Sequence, residues 1–230
     1  FVEDALFVSG GARVDGRALR AAMERGAIKH AATVLEADAS LVVVDGHVQG
    51  VQIGQDIHYA DQVILTAGVW VNELLEPLQT KLDIRAEKGQ ILHLDISSDQ
   101  SKEWPVIMGQ RGLYLVSIED GKLALGSTHE KQLDYNLQPT VKGMYALLTR
   151  AIPVAPVLEE ANINEMRVGL RPYTSNSLPV IGRLANHPNV LIANGLGASG
   201  LTIGPYLGQE LAKLALDQEL EIDLNDYLLQ

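Results

Sequence analysis

Apolar residues recur along this chain with two periods, and the change from one period to the other separates helices from strands. Apolar positions three and four apart predict helices over residues 17–28, 69–78, 141–151 and 201–216. Short runs of β-branched and aliphatic residues predict strands over 32–37, 41–44, 48–53, 58–66, 89–96, 112–117, 122–127, 163–170 and 189–194. The dipeptides Asp45-Gly46 and Asp120-Gly121 indicate hairpin turns.

The order of these segments indicates the fold class. Hairpins typical of an antiparallel sheet alternate with apolar runs typical of parallel strands that are buried on both faces. That order favours an α+β or composite α/β architecture over a simple repeat of βαβ units.

Composition excludes several classes of function. The chain has 230 residues and a formal net charge of −11, which disfavours a nucleic-acid or anionic-membrane partner. It has no cysteine, so disulfides, thiolate catalysis and cysteine-ligated metals are excluded, and we expect a cytoplasmic location. Its longest uncharged run, residues 190–208, is too rich in glycine for a membrane span.

Two further kinds of site lack a sequence signal. The six histidines are dispersed and form no pair at metal-binding spacing, so we predict no metal site. We also find no pair of side chains that would form a catalytic acid and base, and we name no catalytic residue.

A glycine-rich turn at residues 195–200 has the spacing G-x-G-x-x-G, follows an apolar strand and opens a helix. This is the pattern of a dinucleotide fingerprint, in which the backbone approaches a pyrophosphate. Only thirty residues follow, however, and Asp217 lies at the end of the helix with no clear strand before it. A turn facing another part of a ligand, or a tight turn with no ligand, also fits the pattern.

Three segments together resemble the FAD-dependent amino-acid oxidase family, which contains D-amino acid oxidase, glycine oxidase and sarcosine oxidase. The first begins with G-G-A-R-V-D at residue 10 and ends with A-D-Q-V-I-L-T-A-G-V-W at residues 60–70. The second is the hairpin that contains G-L-Y-L-V and L-A-L-G-S-T. The third is G-L-R-P at residues 169–172, with L-P-V-I-G six residues later and the glycine turn beyond it.

The resemblance implies a fold and a division into domains. It implies a partial FAD-binding domain of the glutathione-reductase type, formed by residues 1–84 and 163–230. Residues 85–162 would form a substrate domain with a large antiparallel sheet and a helix. The family's N-terminal strand and glycine turn, which hold the FAD pyrophosphate, have no counterpart here, so the resemblance implies a truncated form.

The resemblance also implies site residues. Arg171 would hold the substrate carboxylate with help from Tyr114, since guanidinium binds a carboxylate bidentately. Arg171 could instead pair with Glu165 or another acid, and Tyr114 could belong to a cross-strand aromatic pair. The implied FAD contacts are Val34 at the adenine, Thr66, Ala67 and Gly68 near the ribityl chain or pyrophosphate, and Gly197, Ala198, Ser199, Gly200 and Leu201 at the flavin ring.

The activity that the resemblance implies is oxidation of the C–N bond of a small amino acid or amine, by hydride transfer to FAD. The substrate would carry a carboxylate, and a homo-oligomer is possible. Two alternatives stay open. One is a binding or interaction module that holds no FAD, and the other is an NAD(P)-dependent dehydrogenase that uses residues 195–200.

Overall fold

A computed structural model of the protein describes residues 4–96, 101–119, 121–131 and 134–227. The chain forms two compact units, of which unit 1 is Phe1–Ala32 with Lys88–Leu170 and unit 2 is Thr33–Glu87 with Arg171–Gln230. The helices are α1 (Gly16–Lys29), α2 (Val71–Leu75), α3 (Val141–Ala151) and α4 (Gly200–Ala215). The strands are β1 (Ala39–Val44), β2 (His47–Ile53), β3 (Asp56–Tyr59), β4 (Val63–Leu65), β5 (Arg85–Asp95), β6 (Ile107–Met108), β7 (Tyr114–Glu119), β8 (Lys122–Gly126), β9 (Glu130–Lys131), β10 (Asn162–Tyr173), β11 (Val180–Leu184) and β12 (His187–Asn194).

Unit 1 is organised around a sheet with strand order β10-β5-β8-β7-β6, and β9 pairs with β5. The β5–β8, β7–β8 and β6–β7 pairs are antiparallel, as the hairpin signals predict. Alternate residues of β5 and β8, such as Leu92 and Leu125, are fully buried in one core cluster with Leu147 of α3. The helix α1 begins at an Asp15 cap and contains no buried residue.

Unit 2 contains two smaller sheets. Strands β1, β2 and β3 form an antiparallel meander, whereas β12 lies between antiparallel β11 and parallel β4. One core cluster joins Val63 and Val190 to the meander and α2, and a second joins Leu191 to Leu207 and Leu211 of α4. Strand β12 is therefore buried on both faces, which explains its continuous apolar run. The predicted fold class, α/β to α+β, is confirmed.

Several predicted elements differ in the structure. Residues 32–37 form no strand, 58–66 is divided into β3 and β4, and 69–78 is a short α-helix between two 3-10 turns. Strand β11 was not predicted, because Pro179 precedes it and Gly182 interrupts it. The β7–β8 hairpin is present, although Asp120 of its predicted turn lies outside the described residues.

The two units place residues differently from the predicted domains. Residues 1–32 group with 88–170, whereas the prediction joins 1–84 to 163–230. The other divisions fall after Glu87 and Leu170, close to the predicted positions. The described part of the chain contains no helix long and apolar enough to span a bilayer. Among those same residues, no cluster of His, Asp and Glu could hold a metal ion.

Candidate functional site

Two parallel neighbouring strands bring the two predicted cofactor turns to one edge of a sheet. Strands β4 and β12 pair from Val63 and Val190 to Leu65 and Ile192. Residues 66–68 follow β4, and residues 195–201 follow β12. Since the strands are parallel, both turns leave from their carboxyl ends, where open α/β sheets bind ligands.

A buried amide joins these two turns. Asn194, the last residue of β12, is 2% exposed. Its Nδ2 donates to the carbonyl oxygen of Gly68 at 2.8 Å, and its Oδ1 accepts from the N–H of Gly195 at 2.7 Å. Asn194 was not among the predicted site residues, although a polar residue at the end of a buried apolar strand is a signal that the sequence does contain.

Glycine is required at two positions of the second turn. Gly195 has φ +75°, and a Cβ atom there would lie 2.8 Å from Cγ2 of Thr174. Gly197 has φ +53°, and its Cβ would lie 2.5 Å from the ring of Tyr173. The hydroxyl of Tyr173 accepts a hydrogen bond from the N–H of Ala198 at 3.1 Å. Tyr173, also missed by the sequence analysis, therefore packs against the turn and fixes its conformation.

The remaining predicted cofactor residues are accessible. Thr66, Ala198, Ser199 and Leu201 are exposed, while Ala67, Gly68 and Gly200 are half-buried. Gly68 has φ +57°, and a Cβ there would meet no atom within 4 Å. The first turn of α4 holds no acidic residue and no capping side chain in the described chain. This helix end therefore favours negative charge, and the open face of Gly68 lets a ligand approach the backbone, so these residues fit FAD.

Val34 lies in unit 2, outside any described helix or strand, and is 50% exposed. Its predicted contact with adenine stays a prediction, because no described contact brings it to the two turns.

Arg171 and Glu87 form an ion pair in unit 2. Nη1 of Arg171 lies 3.4 Å from Oε1 of Glu87, and both side chains are about one-fifth exposed. Glu165, which the sequence analysis named as a possible partner, instead pairs with Arg167 in unit 1. Arg171 thus has an acidic neighbour that the sequence spacing did not indicate.

Tyr114 lies in unit 1, half-buried on β7 and opposite Gly126 of β8. A Cβ atom at Gly126 would lie 2.2 Å from Cζ of Tyr114, so the phenol ring covers this glycine. The residues directly opposite Tyr114 are Gly126 on β8 and Met108 on β6, so no aromatic residue faces it in either strand pair.

One carboxylate in unit 2 fixes the segment that follows Arg171. Asp83 accepts from the N–H of Ser175 at 3.1 Å and from Nε of Arg85 at 3.0 Å. Hydrogen bonding from the Ser175 side chain is the largest of the effects that hold the pKa of Asp83 below its usual value; the Arg85 side chain comes next, and the Ser175 N–H contributes less. The carboxylate therefore stays charged and anchors this turn at neutral pH.

The geometry argues against a ribose contact by Asp217. This residue follows α4, which has 16 residues and is therefore about 24 Å long. Asp217 pairs with Nη2 of Arg183 at 2.7 Å, at the opposite end of the helix from the glycine turn. The spacing G-x-G-x-x-G is present without the acidic residue that a dinucleotide fingerprint requires.

Comparison with known proteins identifies the family. Residues 1–214 match the family described as FAD dependent oxidoreductase, so the chain belongs to that family. The predicted family and its cofactor, FAD, are therefore confirmed.

Three similar proteins show the range of the family. The chain is 43% identical over 225 residues to an uncharacterized oxidoreductase, YurR, of Bacillus subtilis (strain 168), covering 97% of this chain and 60% of that protein. It is 31% identical to glycine oxidase of Pseudomonas putida, covering 79% of this chain and 49% of the enzyme. The crystal structure of iminodiacetate oxidase from Chelativorans sp. BNC1 has a TM-score of 0.89 and 35% identity, covering 95% of this chain and 59% of that chain. The chain thus spans half to three-fifths of the length of these relatives.

Proposed function

We propose that the protein is an FAD-dependent oxidoreductase that oxidises the C–N bond of a small amino acid or amine carrying a carboxylate. The observation that supports this most strongly is the pair of turns at one sheet edge, joined through Asn194. Residues 66–68 and 197–201 would hold FAD, with Val34 at its adenine end.

The turns would hold the cofactor through their backbone. Gly68 has an open face and a positive φ, which let a ligand approach closely. The uncapped start of α4 places partial positive charge beside Gly200 and Leu201, where it would stabilise a negatively charged group. When bound, FAD supplies the acceptor for a hydride from the substrate.

Arg171 would orient the substrate by its carboxylate. A guanidinium is always charged and offers donors in a planar fork that matches a carboxylate. The nearby carboxylate of Glu87 would either hold that fork in place or accept a hydrogen bond from the substrate ammonium group. Tyr114 of β7 is proposed as a second substrate-binding residue, because its hydroxyl can donate a hydrogen bond to a carboxylate.

The names of the relatives support a small substrate. Glycine oxidase and iminodiacetate oxidase are named for small compounds that carry both nitrogen and carboxylate. An arginine at the substrate suits such compounds, because their carboxylate is a large share of the molecule.

The proposal is tested with protein expressed from its complete natural coding sequence. We expect bound flavin after purification and loss of flavin absorbance when the protein meets its substrate without oxygen. The substrate panel contains glycine, iminodiacetate, sarcosine, both enantiomers of alanine and proline, and propionate as the control without nitrogen. Protein that takes up no FAD contradicts the proposal and favours a binding module. Saturable NADH binding in its place would revive the dehydrogenase alternative.

Arg171→Lys tests the substrate role. Lysine keeps the charge and can still pair with Glu87, but it loses the fork, so KM should rise roughly tenfold to a hundredfold while FAD affinity is unchanged. Arg85→Lys is the matched control, since Arg85 pairs with Asp83 at 3.0 Å and is largely exposed. An unchanged KM for Arg171→Lys would mean that the arginine does not bind the substrate carboxylate.

A further inference from the structure

Asn194 joins two backbone segments that the sheet itself does not join. Pairing between β4 and β12 ends at Leu65 and Ile192, two residues before Asn194. Beyond that point the first turn begins at Thr66 and the second at Gly195. The side chain of Asn194 bridges these turns with one donated and one accepted hydrogen bond.

Because this amide is buried, losing its hydrogen bonds would cost free energy. A polar side chain that is 2% exposed is costly unless its groups are paired. Both the amide nitrogen and the amide oxygen have a backbone partner, at 2.8 Å and 2.7 Å. The apolar residues before it, Val190, Leu191 and Ile192, have no exposed surface, so an aliphatic side chain would suit the core equally well. The amide supplies a donor for Gly68 and an acceptor for Gly195 from two different atoms, which an aliphatic side chain cannot do.

We infer that Asn194 is a positioning residue for the cofactor, which sets the spacing of the two turns before FAD binds. This inference rests on the proposed function, because both turns must hold the same FAD molecule. A ligand that contacts two separate loops binds more weakly when the loops must first be ordered. Asn194 does not itself touch the cofactor in this role.

Two substitutions at Asn194 test the inference. Asn194→Asp keeps the shape and the acceptor for Gly195 but removes the donor to Gly68. Asn194→Ala removes both bonds. The matched control is Asn189→Ala on the same strand, where Nδ2 donates to the carbonyl of Val48 at 2.7 Å, away from both turns. Wild type and variants are compared as full-length protein, with added FAD, by flavin fluorescence quenching at a temperature where all are folded.

We expect both Asn194 variants to bind FAD at least roughly tenfold more weakly, while Asn189→Ala keeps wild-type affinity. Hydrogen exchange of the cofactor-free protein provides a second readout. In the Asn194 variants, amides of residues 66–70 and 195–201 should exchange faster together, whereas the control should leave both groups protected. This coupled change separates a positioning role from a general loss of stability.

The outcomes distinguish two kinds of failure. Folded Asn194 variants that bind FAD as tightly as wild type overturn the inference alone. Wild-type protein that binds no FAD overturns the proposed function, and the cofactor role of Asn194 with it. If Asn194→Ala does not fold, the same comparison is made with Asn194→Asp, whose shape is unchanged.

Discussion

Single side chains determine the backbone path around the candidate site. Tyr173 packs its ring against Gly197 and accepts a hydrogen bond from Ala198, so the turn cannot relax without moving the tyrosine. Tyr114 covers Gly126 in the same manner on the other unit. In each case a tyrosine ring lies where the Cβ atom of a glycine would be.

The contacts at this scale explain which site residues a sequence can reveal. The glycines of residues 195–200 are visible because their spacing repeats a known pattern. Glu87 is not, because 84 residues separate it from Arg171 and only the pairing of β5 with β10 brings the strands together. An ion-pair partner that is brought close only by the tertiary fold produces no periodic pattern in the local sequence, so it cannot be predicted from that pattern.

His93 on β5 gives a prediction about pH. Its side chain is 15% exposed and lies 3.9 Å from Glu165. Burial lowers the pKa of His93. The positive charges of Arg167 and, more weakly, Arg17 lower it further, whereas the negative charge of Glu165 raises it. As pH falls through about 6.5, the unfolded chain takes up this proton before the folded one. The free energy of unfolding should therefore decrease from about pH 6.5 downward, until the folded state is also protonated.

His93→Gln should reduce that loss of stability. Denaturant unfolding at pH values from about 7.5 to 5 measures it, with His47→Gln as the control for removing one exposed histidine. If the free energy of unfolding depends on pH equally in wild type and His93→Gln, this histidine is not responsible for the pH dependence.

At the scale of elements, α3 docks on the sheet through buried polar groups as well as Leu147. Gln90 of β5 is fully buried; its Nε2 donates to Oγ1 of Thr140 at 3.0 Å, and its Oε1 accepts from the N–H of Thr140 at 2.8 Å. Thr140 also caps the helix by accepting from the N–H of Gly143. The start of α3 is therefore fixed to β5 by a satisfied network, which is costly to rearrange.

Gly143→Ala should destabilise the protein even though alanine is the better helix former. A Cβ atom there would lie 2.2 Å from Nε2 of Gln90, whose hydrogen bonds prevent it from moving away. We expect a loss of about 1–3 kcal/mol in the free energy of unfolding. Gly208→Ala in α4 is the control: no atom lies within 4 Å of its Cβ position, so it should stabilise by about 0.5–1 kcal/mol. Equal effects of the two substitutions in thermal or urea unfolding would refute the docking argument.

The elements that the sequence predicted well are those with local patterns. Helices α1, α3 and α4 and the β1–β2 and β7–β8 hairpins follow from periodicity and turn residues. Residues 32–37 have the composition of a strand but no pairing partner among the described residues, and they are exposed and belong to no strand. A strand depends on a neighbour, so composition alone does not establish it.

At the scale of the whole molecule, the proposed FAD contacts all lie in unit 2. Val34, residues 66–68 and residues 197–201 belong to it, as does Arg171, whereas Tyr114 belongs to unit 1. The order of motifs along the sequence could not reveal this, because each unit is assembled from two separate stretches of chain. Two of the three divisions between the units fall inside the continuous strands β5 and β10 rather than in a linker between elements.

This distribution predicts how FAD should change thermal unfolding. A ligand at one hundred times its dissociation constant stabilises the state that binds it by about 2.7 kcal/mol, which is roughly 5–10 °C for a chain of this size. Hydrogen exchange recorded during heating should show that FAD increases the protection of amides in unit 2, including those of β4 and β12, because the proposed FAD contacts lie in that unit. Adenosine diphosphate, which lacks the flavin, is the control ligand; at the same concentration as FAD it should bind more weakly and shift the midpoint less. An equal shift with both ligands would remove residues 197–201 from the flavin site and leave only an adenine-binding role.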